Sequence, residues 1–193
     1  SLKQRADFMR AIAIEIEALG DELLTTAHQE TNLPLARLTG ERGRTIFQLN
    51  SYAEATEKGD WITASIDIAN TERVPPKPDT RKMLVPVGPV VVFGASNFPF
   101  AYSTAGGDTA CAFAAGCPVI VKAHPAHVKT STMVASAIEK AAQNCNMPKG
   151  IFAHVYGSGF KTGEYLVKHD AIKSVAFTGS FNGGKALFDW ANQ

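Results

Sequence analysis

The stretch VGPVVVFGASNFPF, residues 87–100, decides how the rest of the chain is read. An apolar run from Val87 to Phe93, branched at Val90-Val91-Val92, does not alternate and stops at Gly94-Ala95-Ser96. A run that does not alternate suits a strand covered on both faces, as in parallel sheets. Three more short apolar runs follow at Pro118–Val121, Phe152–Tyr156 and Ser174–Phe177, each ending in small or polar residues and then a helical stretch. The clearest predicted helix is Thr130 to Cys145, where Met133, Val134, Ala137, Ile138, Ala141, Ala142 and Cys145 share one face. Strands alternating with helices at this spacing predict right-handed βαβ units and an α/β fold with a doubly wound parallel sheet.

Upstream the texture differs. Phe8, Met9, Ile12, Ile16, Leu19, Leu23 and Leu24 recur at helical spacing, with Gly20 as a break. Ile46, Leu49 and Ala53 mark a third helix, expected to begin near Thr39 or Glu41. Thr63 to Thr71 alternates weakly and predicts an extended arm, and Val74-Pro75-Pro76-Lys77-Pro78 is a non-helical connector. The expected organisation is a helical segment over 1–60, an arm and connector over 61–83, and an incomplete Rossmann-like, dinucleotide-binding domain over 84–193. A helical pattern already running at Ser1, and no stop signal at Gln193, suggest a fragment.

Composition narrows the function classes. With 45% hydrophobic and 19% charged residues the chain reads as an ordinary globular protein. A net charge of +1 offers no electrostatic footprint for nucleic acid or anionic lipid. The longest apolar run, Met83 to Ala95, is broken by Pro86 and Pro89 and is too short to span a bilayer. Lys3, Arg5, Asp7 and Arg10 occupy the place where a signal peptide would turn apolar. Cys111, Cys117 and Cys145 form no metal-ligand pattern and are expected to be reduced core residues of a cytoplasmic protein.

In a doubly wound sheet ligands collect beyond the carboxyl ends of the strands. Four loops lie there: Gly94–Phe100, Lys122–His127, Gly157–Gly163 and Thr178–Gly184. Gly179, Ser180 and Gly184 could let a helix start meet a pyrophosphate, although the GxGxxG spacing is absent. Gly157 and Gly159 make a second glycine-rich turn, and for both loops a plain strand-to-helix turn is the competing reading. Lys122 ends an apolar strand, so its ammonium must reach solvent or a ligand oxygen. His124 and His127 flank Pro125 with no third ligand, which favours solvated loop histidines over a metal site. Gly94-Ala95-Ser96-Asn97-Phe98 misses the nucleophile elbow of hydrolases because Phe98 stands where the second glycine belongs. Asn97 is either an asparagine tolerated in a tight turn or an amide donor for a developing oxyanion.

The segment from Val85 to about Asp189 resembles the aldehyde dehydrogenase superfamily. Ser96-Asn97-Phe98-Pro99 is similar to that family's Trp-Asn-Phe-Pro, Lys122-Ala123-His124-Pro125 to its Lys-Pro-Ser-Glu, and Phe177-Thr178-Gly179-Ser180 to its Phe-Thr-Gly-Ser. Ala114-Ala115-Gly116-Cys117-Pro118-Val119 and Met147-Pro148-Lys149-Gly150 stand between them in the family's order. The variants at Gly94–Asn97 and Lys122–Pro125 look like the branch that includes α-ketoglutaric semialdehyde and fatty aldehyde dehydrogenases.

The resemblance implies NADP- or NAD-dependent oxidation of an aldehyde to a carboxylate through a thiohemiacetal and a thioester. It implies that Asn97 holds the aldehyde oxygen and that Phe98 lines the aldehyde tunnel. Lys122 and His124 would meet the adenosine ribose, Gly179, Ser180 and Gly184 the pyrophosphate, and Gly157 and Gly159 the adenine side. It also implies a homo-oligomer for the intact enzyme. Pro125 stands where many NAD-preferring relatives carry a glutamate, which points to NADP. The family's nucleophilic cysteine and general-base glutamate have no matching motif in the chain, so these residues alone are expected to be inert. An acylating, coenzyme A-dependent enzyme and a stand-alone nucleotide-binding module are the competing expectations.

Overall fold

Ser1 starts the first helix by accepting the Gln4 N–H on its hydroxyl oxygen at 3.1 Å. Helix α1 (Leu2–Ala18) follows in the computed structural model, which describes residues 1–157 and 159–193. Its Ala6, Phe8, Met9, Ile12, Ala13 and Ile16 are buried on one face. The break at Gly20 separates α1 from α2 (Gly20–Thr31), which ends on Asn32 in left-handed geometry. Helix α3 (Leu35–Lys58) begins a turn earlier than the spacing predicts, directly after Pro34. Its first three residues are exposed, Leu35 and Ala36 among them, so they join no buried face that would mark the start; the first buried position is Leu38.

The arm is a short antiparallel pair, β1 (Ser65–Asp67) with β2 (Thr80–Lys82), exposed along its whole length. Four parallel strands then form the main sheet: β3 (Val90–Phe93), β4 (Val119–Lys122), β5 (Phe152–Val155) and β6 (Ser174–Phe177), in the order β5-β4-β3-β6. β3 starts at Val90 rather than Val87, because Gly88 lies at φ 118° and Pro89 has no N–H for a ladder. The connecting helices are α4 (Gly107–Ala115), α5 (Val128–Asn144) and α6 (Lys161–Lys168), with α7 (Phe181–Ala191) after β6.

Strand alternation assigns the two faces. Val90, Val92, Val119, Val121 and Ala176 join one core with α1 to α5, while α6 packs on α7 across the opposite face. Phe113 of α4 links the layers: its ring meets Phe8 edge-on at 5.0 Å and Phe152 at 6.3 Å. The N-terminal helices therefore share a core with the sheet. A second tie is polar. Glu30 of α2 accepts the N–H groups of Lys129 and Thr130 at 2.8 and 2.7 Å and the Thr130 hydroxyl at 2.7 Å, capping α5 from outside. Burial alone would raise the Glu30 carboxyl, but the Thr130 and Lys129 bonds hold it below its ordinary value.

One expected core residue is not in the core. Cys117 is buried and Cys145 half-buried, but Cys111 is exposed on the outer side of α4. Helix α4 is apolar almost all round, so its sequence carries no sign of which face turns inward. Among the described residues no helix is long and apolar enough to cross a membrane.

Candidate functional site

The order β5-β4-β3-β6 makes the chain step outward from β3 to β5 and return on the other side of β3. The loops after β3 and β6 consequently part toward opposite faces, and a cleft opens beyond the strand ends. A cavity of about 280 Å³ lies there, and Lys122, His124, Pro125 and Gly159 line it together with Phe93 and Trp190. Lys122, His124 and Gly159, from two separate loops, are thus brought to one place. Phe93 and Trp190 had no distinguishing sequence signal, since each reads as an ordinary apolar residue of a strand or helix.

Lys122 is the last residue of β4, in register with Phe93 and Val155. Its position on the strand turns the side chain away from the main core and into the cavity. It is half-buried, and burial alone pushes its ammonium below the ordinary lysine value. Among the described residues no carboxylate pairs with it and none lines the cavity. An ammonium in this setting favours an anionic ligand over water.

Next to it, burial and then the charges of His127 and Lys122 push His124 below its ordinary value. The ring is therefore neutral near pH 7, and Nδ1 accepts the Ala126 N–H at 3.1 Å. The proton of the neutral ring then sits on Nε2, which is left as a donor. The His124 and His127 rings lie 5.7 Å apart in a near-parallel stack. No cluster of three or more His, Cys, Asp or Glu side chains that could hold a metal occurs among the described residues.

The glycine loops divide their work. Gly159, at φ 76°, turns the chain beside the cavity in a conformation that favours glycine. Gly157 lies off the cavity and packs on Thr162, whose Oγ1 would stand 2.1 Å from an added Cβ. At Gly179 an added Cβ would stand 2.5 Å from the tip of the Phe177 ring, so a larger residue would have to displace that ring. Ser180 caps α7: its hydroxyl oxygen accepts the Gly183 N–H at 3.2 Å, and Gly184 donates to the Ser180 carbonyl at 3.0 Å. Gly179, Ser180 and Gly184 line a separate open groove at the α7 N-terminus, and Gly183 reaches the first cavity. A helix start of this kind offers free N–H groups to an anion.

Asn97 sits on the loop after β3, at the same end of the sheet but outside the Lys122 cavity. Its side chain is exposed and meets no partner among the described residues, while its carbonyl oxygen accepts from Arg37 Nη2 at 2.6 Å. Asn97 does not take the left-handed geometry that would explain an asparagine by backbone shape alone. Phe98 does not line the cavity. Its ring packs edge-on against Tyr102 at 5.3 Å and beneath the Arg37 guanidinium at 4.9 Å.

Fold and cleft define a doubly wound α/β protein with its candidate site at the strand ends. The family model described as "Aldehyde dehydrogenase family" matches residues 1–193, and the chain belongs to that family. It is 55% identical over 192 residues to α-ketoglutaric semialdehyde dehydrogenase 2 of Azospirillum brasilense, a match covering 99% of this chain and 37% of the relative. It is 53% identical over 190 residues to α-ketoglutaric semialdehyde dehydrogenase of Acinetobacter baylyi, covering 98% and 36%. The chain therefore spans little more than a third of the length of these relatives. Among solved structures it matches an NAD-dependent aldehyde dehydrogenase from Sinorhizobium meliloti with a TM-score of 0.81 at 26% identity, covering 100% of this chain and 36% of that one. It also matches a glyceraldehyde-3-phosphate dehydrogenase from Methanocaldococcus jannaschii complexed with NADP, with a TM-score of 0.80 at 20% identity, covering 99% and 40%.

Proposed function

We propose that these residues form the cofactor-binding part of a longer NAD(P)-dependent aldehyde dehydrogenase that oxidises α-ketoglutaric semialdehyde to the corresponding carboxylate. The observation that carries this reading is Lys122: a half-buried ammonium without a carboxylate partner among the described residues, turned into a cleft between glycine-rich loops. The Azospirillum and Acinetobacter relatives, both named α-ketoglutaric semialdehyde dehydrogenases, support the substrate. The Sinorhizobium and Methanocaldococcus neighbours support the cofactor pair.

The residues present fit a dinucleotide. Lys122 Nζ and His124 Nε2–H would meet the adenosine ribose or its 2′-phosphate. The N-terminus of α7, with Ser180 and the backbone from Gly179 to Gly184, would meet the pyrophosphate, and Gly157 and Gly159 would shape the adenine side. Pro125 lines the cavity where a carboxylate would repel a 2′-phosphate, and that favours NADP. When bound, the nicotinamide supplies the hydride acceptor. Asn97 donates its side-chain N–H to the aldehyde oxygen as negative charge builds there, and Phe98 borders the aldehyde path. The thiol nucleophile and general base belong to motifs outside these residues, so these residues alone bind cofactor without turning over. The exposed β1–β2 pair is the candidate contact between subunits of a homo-oligomer.

The test is turnover by the full-length protein of α-ketoglutaric semialdehyde, with NADP and with NAD, alongside Asn97→Ala. Loss of one oxyanion donor costs about 2.7–4 kcal/mol, so the variant should turn over about 100- to 1,000-fold more slowly with NADP affinity unchanged. Parental turnover in Asn97→Ala removes the role of the amide. Failure of the parent to oxidise the aldehyde with either cofactor removes the whole reading.

A further inference from the structure

The Asn97 side chain makes no bond within the described chain, so its direction is set by the backbone of its loop. That loop closes on itself where Ala95 N–H donates to the Tyr102 carbonyl at 2.8 Å. Two buried side chains from elsewhere grip it on either side of Asn97.

On the C-terminal side, Glu41 of α3 is only 6% exposed. Its Oε1 accepts the N–H groups of Phe100 and Ala101 at 2.8 and 3.0 Å. Its Oε2 is buried and meets no donor among the described residues. On the N-terminal side, His127 is fully buried at the end of the short helix Pro125–His127. Its Nε2 lies 2.7 Å from the Ala95 carbonyl oxygen. A carbonyl oxygen can only accept, so Nε2 carries the proton. His127 Nδ1 is likewise buried without a partner among the described residues.

A carboxylate and an imidazole, each with a buried atom left unsatisfied, are costly choices for packing alone. Both are placed where a donor or acceptor is needed to fix the backbone flanking Ser96–Pro99. The grip on the C-terminal side extends along one stripe of α3. Arg37 holds the Asn97 carbonyl, Glu41 the Phe100 and Ala101 amides, and Arg44 the Tyr102 hydroxyl at 2.8 Å. These α3 residues follow at i, i+4 and i+7, one face of the helix.

We propose that Glu41 and His127 are positioning residues, which clamp the loop between them so that the Asn97 amide is preorganised for the substrate oxygen. The proposal rests on the reading of Asn97 as the oxyanion donor. Preorganisation explains the arrangement, because a donor misplaced by about 1 Å forfeits on the order of 100-fold in rate. Neither residue lines the Lys122 cavity. Glu41 also touches no described residue of it, so cofactor binding should be indifferent to Glu41, whereas the His127 ring stacks on His124 of that cavity at 5.7 Å.

The experiment is a double-mutant cycle in the full-length enzyme, reading kcat/KM for the aldehyde, the Kd for NADP and the melting temperature. Glu41→Ala and His127→Leu should each lower kcat/KM by about 10- to 100-fold, Glu41→Ala with the NADP Kd unchanged. Glu41→Gln keeps a carbonyl-type acceptor for both N–H groups and His127→Gln keeps an N–H for Ala95, so each should recover most of the loss. In an Asn97→Ala background, Glu41→Ala and His127→Leu should have almost no further effect, because the group they position is gone. If Asn97→Ala is slow but the two losses recur in full in that background, the clamp is refuted while the Asn97 reading stands. If Asn97→Ala alone keeps parental rates, it is the Asn97 reading that fails. Should Glu41→Ala not fold, the His127→Gln and His127→Leu pair decides by the same comparison.

Discussion

Replacing Lys122 with methionine should move stability and cofactor affinity in opposite directions. The methionine stem keeps most of the lysine's apolar contact with the cavity wall and removes only the charge. In the free protein that charge is a liability: the ammonium is half-buried and, among the described residues, unpaired. Burial lowers its folded value below 10.5, the ordinary value, so folding disfavours the charged form wherever lysine is protonated. The penalty is present throughout the neutral range and is relieved only as pH rises toward 10.5. Lys122→Met should therefore melt no lower than the parent at pH 7. In the complex the same charge meets an anion, and a charged hydrogen bond contributes about 1.5–3 kcal/mol, or about 10- to 150-fold in affinity. Calorimetric titration of the intact protein with NADP should show that rise in Kd, shrinking in high salt because the cleft is open to solvent. A variant that binds NADP as tightly as the parent, or that loses affinity only because it melts lower, would show that Lys122 braces the strand end instead.

The remaining expectations concern specificity and acid stability. Pro125→Glu places a carboxylate on the cavity wall beside Lys122, where repulsion of a 2′-phosphate is worth about 1 kcal/mol or more. NADP affinity should fall by at least about five-fold relative to NAD, and an unchanged ratio of the two Kd values would contradict the reading of this wall. Glu30→Gln removes a carboxylate whose folded value is held below 4.5, its ordinary value. A depressed carboxyl contributes stability above its unfolded value and loses it as pH falls through the folded one. The gap in urea midpoint between parent and Glu30→Gln should thus be present at pH 7 and close below pH 4.5; a gap that persists in acid would deny the charge any part in capping α5.

Much of the architecture can be read from local pattern. The four apolar runs, the one-sided spacing of α1 and α5, and the loops beginning at Gly94, Lys122, Gly157 and Thr178 report their elements because alternation and helical period are local properties of the chain. The start of α3 and the exposure of Cys111 were not legible, and for one reason. An exposed first turn and an all-apolar helix both lack the contrast between faces from which a boundary or an inward side is inferred.

What the sequence determines by itself is the set of strands, helices and strand-end loops, and with them the family motifs, since each is written within a few neighbouring residues. Which loops meet is decided only by the sheet order β5-β4-β3-β6, and it places Lys122 with Gly159 while leaving Asn97 outside their cavity. The same holds for Glu41, which in the sequence is one more charged position on a helix. Its bonds to Phe100 and Ala101 span about sixty residues of chain, and no local spacing encodes a contact that exists only once α3 has packed against the loop after β3.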